Sequence, residues 1–315
     1  MGETAYCPAD DRLSIWCARP APHLTRYVTG YDAYHAWLAP GEEARDVLPP
    51  AWPAVRIALD GFEWGMRIGT RTIDPGPSDA LFGPSSRIAF TRYTAGRCVC
   101  AGLTPLGWAR FVRRDAAAFA NRATPLDAVW PDRVASLRTA LAGADDSAAV
   151  FDAFFTELLE RTEPEDERLD RVLSLLLDPN VVTIAQLAAR ADIDPRHLAR
   201  LSTRHFGFTP KLLLRRARFM RALVEAMRVG RGSWKTLAAD AGYHDQPHFI
   251  RDCQLFLGMP ISVFIQRPKP LFELSLALRA AVLGTPAQVL HAPVAGSDHP
   301  WNAGEVPAAP LSDPA

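Results

Sequence analysis

"LAARADIDPRHLARLSTRHFGFTP" (187–210) and "LAADAGYHDQPHFIRDCQLFLGMP" (237–260) are two versions of one pattern. Leu187-Ala188 match Leu237-Ala238 fifty residues on, and His197-Leu198 and Arg200 match His248-Phe249 and Arg251 fifty-one residues on, so the second turn holds one extra residue. Each copy predicts a short helix, a sharp turn and a second helix that stops at Gly207 or Gly258, where a left-handed C-terminal cap favours glycine. Thr183 with Gln186 predicts a capping box at the first helix. Asp194-Pro195 predicts an N-cap followed by Pro at the first helical position, where its missing N–H costs nothing. Between the copies, "PKLLLRRARFMRALVEAMRV" predicts one helix from about Pro210 to Val229, about 30 Å long at 1.5 Å per residue. Recognition helices in successive major grooves on one face of DNA stand about 34 Å apart. A helix-turn-helix built twice around a stiff spacer therefore has the dimensions of a double reader.

Charge supports that reading once its distribution is considered. The 315 residues carry 35 basic and 35 acidic side chains, yet Thr183 to Arg267 holds 14 Lys/Arg against 6 Asp/Glu, leaving 21 against 29 elsewhere. One segment has the electrostatic footprint of a polyanion binder and the remainder compensates for it. The N-terminal "MGETAYCPADDRLSIW" has neither a basic nor an apolar leader region, and the longest apolar runs fall far short of the roughly 20 residues that span a bilayer. Five cysteines at irregular spacing predict reduced thiols. A cytoplasmic protein with no membrane segment is expected.

The first ~125 residues alternate in short runs, as in "AVRIALDGFEWGMRI", "SRIAFTRY" and "RCVCAGL". Asp60-Gly61 between two such runs predicts a hairpin. From about Pro131 the period becomes helical, and Phe151, Phe154, Phe155, Leu158 and Leu159 form an apolar stripe. That stripe reads as a core face first and as a homodimer interface through helices 131–160 second. "RTEPEDER" (161–168) reads as an acidic linker interrupted by Pro164. The expected class is α+β. A small antiparallel β-barrel-like, cupin-like domain with trailing helices (1–160) and a linker (161–168) precede an all-α DNA-binding domain (169–267). A tail (268–315) follows, with one more helix at "FELSLALRAAVLG" and partial disorder beyond Thr285.

The segment from about Leu169 to Arg267 resembles the DNA-binding domain of the AraC/XylS family of bacterial transcription regulators, with "AGYHDQPHFIRDCQLFLGMPISVF" similar to that family's signature around its second helix-turn-helix. The stretch from "VLPPAWPAVRIALDG" through "LFGPSSRIAFTRYTAGRCVCAGL" resembles an uncharacterised β domain often fused to such regulators. The resemblance implies double-stranded DNA as partner, with base contacts at Arg196, Ala199 and Arg200. Helical geometry adds His197 and Arg204 to the outward face, Arg204 toward a phosphate. In the second copy Gln246, Pro247, His248 and Arg251 face outward. Ser is common in the family at the positions of His244 and Pro247, and these departures weaken the second reader, His244 being a poor N-cap. Phosphate contacts are expected from Thr183, Lys211, Ser233 and Lys235, and the linker arginines Arg215, Arg216 and Arg218 add basic charge. A small-molecule effector is expected in the N-terminal domain, and an activator would also engage RNA polymerase.

Other classes find less support. His23 and His35, twelve apart, do not make a cupin metal site, and His244 and His248 do not share a helical face. Cys98 and Cys100 share one face of a strand and read as small buried hydrophobes, with a zinc or thiol site together with Cys7 and Cys17 as the alternative. No phosphate loop, nucleophile elbow or paired-carboxylate motif appears. No catalytic residue, metal or cofactor is expected. The alternative function is a cupin-like metal enzyme or a zinc or thiol sensor fused to a DNA-binding module.

Overall fold

Side-chain alternation along "AVRIAL" (54–59) and "GRCVCAGL" (96–103) sends both faces of two central strands into apolar surroundings. Val55, Ile57, Leu59, Val99, Ala101 and Leu103 enter one buried cluster, while Ala58, Cys98 and Cys100 enter another. A strand buried on both faces reads as a nearly continuous apolar run. The computed structural model describes residues 4–10, 12–229, 243 and 245–291.

The strands are β1 (Thr4–Asp10), β2 (Leu13–Ala18), β3 (Val28–Ala36), β4 (Ala44–Leu48), β5 (Ala54–Leu59), β6 (Trp64–Ile68), β7 (Arg71–Ile73), β8 (Asp79–Phe82), β9 (Ala89–Tyr93), β10 (Gly96–Leu103) and β11 (Ala123–Pro125). They form a seven-stranded sheet, β1-β2-β3-β10-β5-β8-β11, and a four-stranded sheet, β4-β9-β6-β7. Every pairing is antiparallel, with Val99 opposite Ala33 on one side and Ile57 on the other. One face of the larger sheet packs on helices between 105 and 160, with Tyr31 stacked on Phe151 at 5.3 Å and Phe155 against Phe111 at 5.2 Å. Its other face meets the smaller sheet through Trp64, Met66, Ile68 and Tyr93.

Two expectations change here. Asp60 and Gly61 do adopt positive φ, 54° and 80°, but β5 and β6 enter different sheets, so the turn is an inter-sheet corner and not a hairpin. Inter-sheet packing of Trp64 and Met66, both buried, prevails over local pairing. The aromatic stripe of helix Ser147–Glu160 is also spent within the chain: Phe151, Phe154, Phe155 and Leu158 are all buried, leaving no broad apolar face there for a second copy.

Glu165 of the acidic linker is buried and pairs with Arg26 at 3.3 Å, so this stretch lies against the β domain. The tail from 268 onward contains a helix, Pro270–Leu283, laid over β1, β2 and β4. Leu283 comes so close to Gly30 (φ 143°) that a Cβ there would lie 2.5 Å from its Cδ1. Ala287 and Val289 then bury in a cluster shared with the linker helix. No described helix is long and apolar enough to cross a membrane.

Asp46 receives the start of that C-terminal helix, its carboxylate accepting from the N–H groups of Leu271 (2.7 Å) and Phe272 (3.3 Å). Burial raises its pKa to about 6 although Val47, Leu271 and Phe272 donate to it. The raised value means that its titration favours the fold fully below about pH 4, the ordinary aspartate range, and that this contribution is lost as pH rises through about 6. Asp46→Ala is expected to cost about 1–3 kcal/mol in urea unfolding by removing the side-chain acceptor of three buried N–H groups, those of Val47, Leu271 and Phe272. Asp46→Asn keeps an acceptor and is expected to cost under about 1 kcal/mol while flattening stability between pH 4 and 6. Equal losses from both substitutions would remove the capping role.

Candidate nucleic-acid interface and adjoining cavity

The first helix-turn-helix is organised by its caps. Thr183 Oγ1 accepts from Gln186 N at 3.1 Å and Gln186 Oε1 accepts from Thr183 N at 3.1 Å, starting the helix Ile184–Ala191. Thr183, expected to touch phosphate, thus has its hydroxyl acceptor engaged in the cap. Asp192 closes this helix in the left-handed region at φ 56°, which Asp tolerates better than most residues. Asp194 then accepts from the N–H groups of Arg196 and His197, both at 3.0 Å, and starts the recognition helix Pro195–Leu201. Donation from the His197 N–H holds the Asp194 carboxyl below its ordinary value, with further lowering from the Arg196 N–H and the charges of His197 and Arg200.

The helix continues through Ser202–Phe206 to Gly207. Leu198, Leu201 and Phe206 are buried, whereas Arg196, Ala199, Arg200 and Arg204 are exposed and His197 is half-buried. His197 Nδ1 lies 3.5 Å from Arg200 Nη2. Asp115 and Asp166 border the same open cleft as Arg200 and Arg204, but Asp166 is held by a two-nitrogen fork from Arg168 at 2.6 and 2.8 Å. That pairing keeps the Asp166 carboxyl below its usual range.

The linker helix spans Pro210–Val229. Lys211 is exposed, but the arginines of this helix do not simply coat a basic surface as expected. Arg215 pairs with the wholly buried Asp252, and Arg218 lies 4.8 Å from the centre of the Tyr243 ring. Arg216 is 1% exposed, stacks on Trp52 at 4.0 Å and donates to Ser85 O at 2.7 Å. Burial pulls its pKa down to about 9, so it remains charged at neutral pH. These partners lie far away in sequence, which is why helical spacing alone did not reveal them.

The second recognition helix is Gln246–Phe256. Its N-cap is Asp245, whose carboxylate accepts from His248 N at 2.7 Å, so the helix starts on a good cap one residue after His244. His244 lies outside the described residues, as do Ser233 and Lys235. Gln246, Pro247 and Arg251 are exposed. His248 is half-buried, with its Nε2 3.4 Å from Arg218 Nη2 and its ring edge-on to Tyr243. Its ring therefore serves the packing of this helix on the linker helix.

Elsewhere, His23 Nε2 meets Thr156 Oγ1 at 2.7 Å and His35 stacks on Trp37 at 4.1 Å. Cys98 and Cys100 are buried with sulfurs 3.8 Å apart. Among the described residues no three His, Cys, Asp or Glu side chains converge as metal ligands would.

A cavity of about 170 Å³ lies between the two sheets and the C-terminal helix. Ala51, Trp52 and Ser85 belong to its wall, and the same three residues contact Arg216. Trp52 also meets Phe206 edge-on at 5.8 Å, at the end of the first recognition helix. At the next residue, Gly207, φ is 81° and a Cβ would lie 2.5 Å from Pro84 Cγ, so glycine permits both the cap and the close domain approach.

Residues 187–267 match the family model described as "Helix-turn-helix domain". No curated protein matches the chain. Among solved structures, an apo single-substitution variant of ToxT from Vibrio cholerae strain SCE256 is 11% identical, covering 71% of this chain and 93% of that one at a TM-score of 0.40. ToxT from Vibrio cholerae O395 is 9% identical over 71% and 96% of the two chains, TM-score 0.36. The AraC-like transcriptional activator CuxR is 12% identical over 70% and 86%, TM-score 0.30. The matched segment, with its capped and partly exposed second helix, makes residues 187–267 a helix-turn-helix domain.

Proposed function

We propose that the chain reads two adjacent major-groove segments with residues 169–267, and that a small molecule held by the N-terminal β domain, in the cavity that the C-terminal helix helps to line, controls this engagement. The observation that carries the DNA reading is the exposure of Arg196, Ala199, Arg200 and Arg204 on a helix whose other face is buried. The 20-residue linker helix supports the spacing, since about 30 Å approaches one turn of DNA. Arg196 and Arg200 read base edges, Ala199 allows close approach, and Arg204 and Lys211 meet phosphates. Gln246, Pro247 and Arg251 form the exposed part of the second reader. The protein acts in the cytoplasm as a regulator and not as an enzyme.

Control by a ligand is supported by the wall that the cavity shares with Arg216. An occupant of the cavity would touch Trp52, and Trp52 touches both Arg216 of the linker helix and Phe206 of the first reader. Binding that shifts Trp52 would alter how the reading domain sits on the β domain, as differential affinity for two arrangements requires.

Selection of bound sequences from random duplex DNA with the full chain tests the central reading. Affinity for the selected site is expected to fall steeply with salt through counterion release. Lys211→Ala should weaken all sequences alike and lower the salt slope by about 1. Failure to enrich any sequence, or salt-insensitive binding, would remove DNA reading as the function.

A further inference from the structure

Strand β5 places Arg56 on the sheet face opposite Val55, Ile57 and Leu59, among the residues that line the cavity. Only 9% of the residue is exposed. Its guanidinium lies 4.4 Å from the centre of the Phe82 ring, 5.7 Å from that of Trp64 and 5.8 Å from that of Tyr34. Among the described residues no carboxylate stands within ion-pair distance of it; the titratable side chains that face it are Tyr34, Cys98 and Cys100. The acid that lines the cavity, Asp32, is committed to Arg279 of the C-terminal helix at 2.7 Å. Arg122 lies at the exposed rim, so the lining carries three guanidinium groups against one carboxylate.

A buried cation without a counter-charge is unfavourable unless its surroundings compensate. Aromatic faces around Arg56 offset part of that cost, and a ligand anion would offset more. A second donor points the same way: Trp52 Nε1 is buried without an acceptor among the described residues, and Trp52 lines the same cavity. Most of the remaining wall is apolar, including Met66, Ile68, Leu271 and Leu276. The volume, about 170 Å³, is close to the roughly 150 Å³ that accommodates benzene in an apolar protein interior.

We propose that the cavity takes a compact apolar monocarboxylate, with one ring or an equivalent branched body against Met66, Ile68, Leu271 and Leu276 and its carboxylate paired with Arg56. The planar guanidinium fork matches a carboxylate in two parallel hydrogen bonds, which an ammonium would not reproduce. This inference rests on the reading of the N-terminal β domain as a ligand-binding unit and specifies its ligand. Leu271 and Leu276 belong to the helix that follows the reading domain, so the ligand would also brace that helix.

Calorimetric titration of the full chain with cyclohexanecarboxylate and 3-phenylpropionate, each beside its primary amide, tests the proposal. The acids are expected to bind at least about tenfold more tightly than the amides, the scale of one charge-assisted hydrogen bond. Arg56→Met should bring the acid and amide affinities within about twofold of each other, and Arg56→Lys should restore the advantage of the acids only in part. The acid-to-amide ratio of the unaltered protein keeps the test decisive should a variant fold poorly. Equal binding of acids and amides would overturn the anion assignment while leaving a small-molecule site in place. Binding of neither would overturn the ligand assignment, and DNA selection with the same preparation would judge the regulatory reading separately.

Discussion

Asp252→Ala is expected to destabilise the full chain by about 3–5 kcal/mol in urea unfolding, because it removes one member of a buried ion pair. Asp252 is 0% exposed; its Oδ1 accepts from Arg215 Nε at 3.1 Å and its Oδ2 from the Tyr243 hydroxyl at 2.9 Å. Burial, followed by the charge of Asp252, pushes the Tyr243 phenol well up, so the hydroxyl stays protonated and donates. The alanine variant strands both donors. Arg215 retains some solvent contact, its side chain being 29% exposed, which places the outcome toward the lower end. Asp252→Asn, which still accepts from Tyr243, should cost less. The triple exchange Arg215→Met, Asp252→Leu and Tyr243→Phe should recover most of the loss, since it leaves neither donor stranded and apolar groups often replace buried ion pairs without penalty. A loss under about 1 kcal/mol in the alanine variant would show that Arg215 and Tyr243 find other partners. Since this carboxylate fastens Gln246–Phe256 to the linker helix, preference over the second half of the DNA site should weaken before the first.

The contrast between this pair and the caps explains what could be read from the residue string. Thr183 with Gln186, Asp194 before Pro195, and the linker helix from Pro210 to Val229 depend on partners within four residues, and each was legible. The two antiparallel sheets followed by helices were legible as a class for the same reason, since alternation and helical period are local. Arg215, Arg216 and Arg218 looked like surface charge because Asp252, Trp52 and Tyr243 are supplied by distant segments. At Asp60-Gly61 the backbone conformation was legible and the pairing was not, for strand partnership is decided by which faces bury together. Arg56 escaped notice for a related reason. In a strand with one wet face an arginine points to water, but β5 is covered on both sides and has no wet face to offer. The signal available was the polar intruder in "AVRIAL", a run otherwise apolar throughout. Asp245 could also have been recognised as a cap, since it precedes a Pro at the second helical position.

Joint replacement of Arg196 and Arg200 by Ala should weaken binding to the selected DNA site by about 2–6 kcal/mol, roughly 30-fold to 25,000-fold, if each arginine makes a two-point contact with guanine. Both are exposed near the start of the recognition helix, four residues apart and therefore neighbours on one face. Neighbouring contacts couple, so the two single variants need not sum to the double. Their local electrostatics favour this role: Asp194 is occupied by backbone N–H groups, and Asp166 across the cleft by Arg168, leaving neither as a full counter-ion for the readers. Selection repeated with Arg200→Ala should relax one base-pair position, whereas the dependence on salt should change little, since counterion release follows phosphate contacts. If the double variant instead lowers the salt slope by about 2 and retains the original preference, both arginines contact phosphates and specificity arises elsewhere. The obvious place would then be the second helix, where Gln246 and Arg251 stand exposed while His248 is drawn against Tyr243 and Arg218. With fewer free polar side chains, that helix can discriminate fewer positions, and the first reader should carry the larger share of sequence preference.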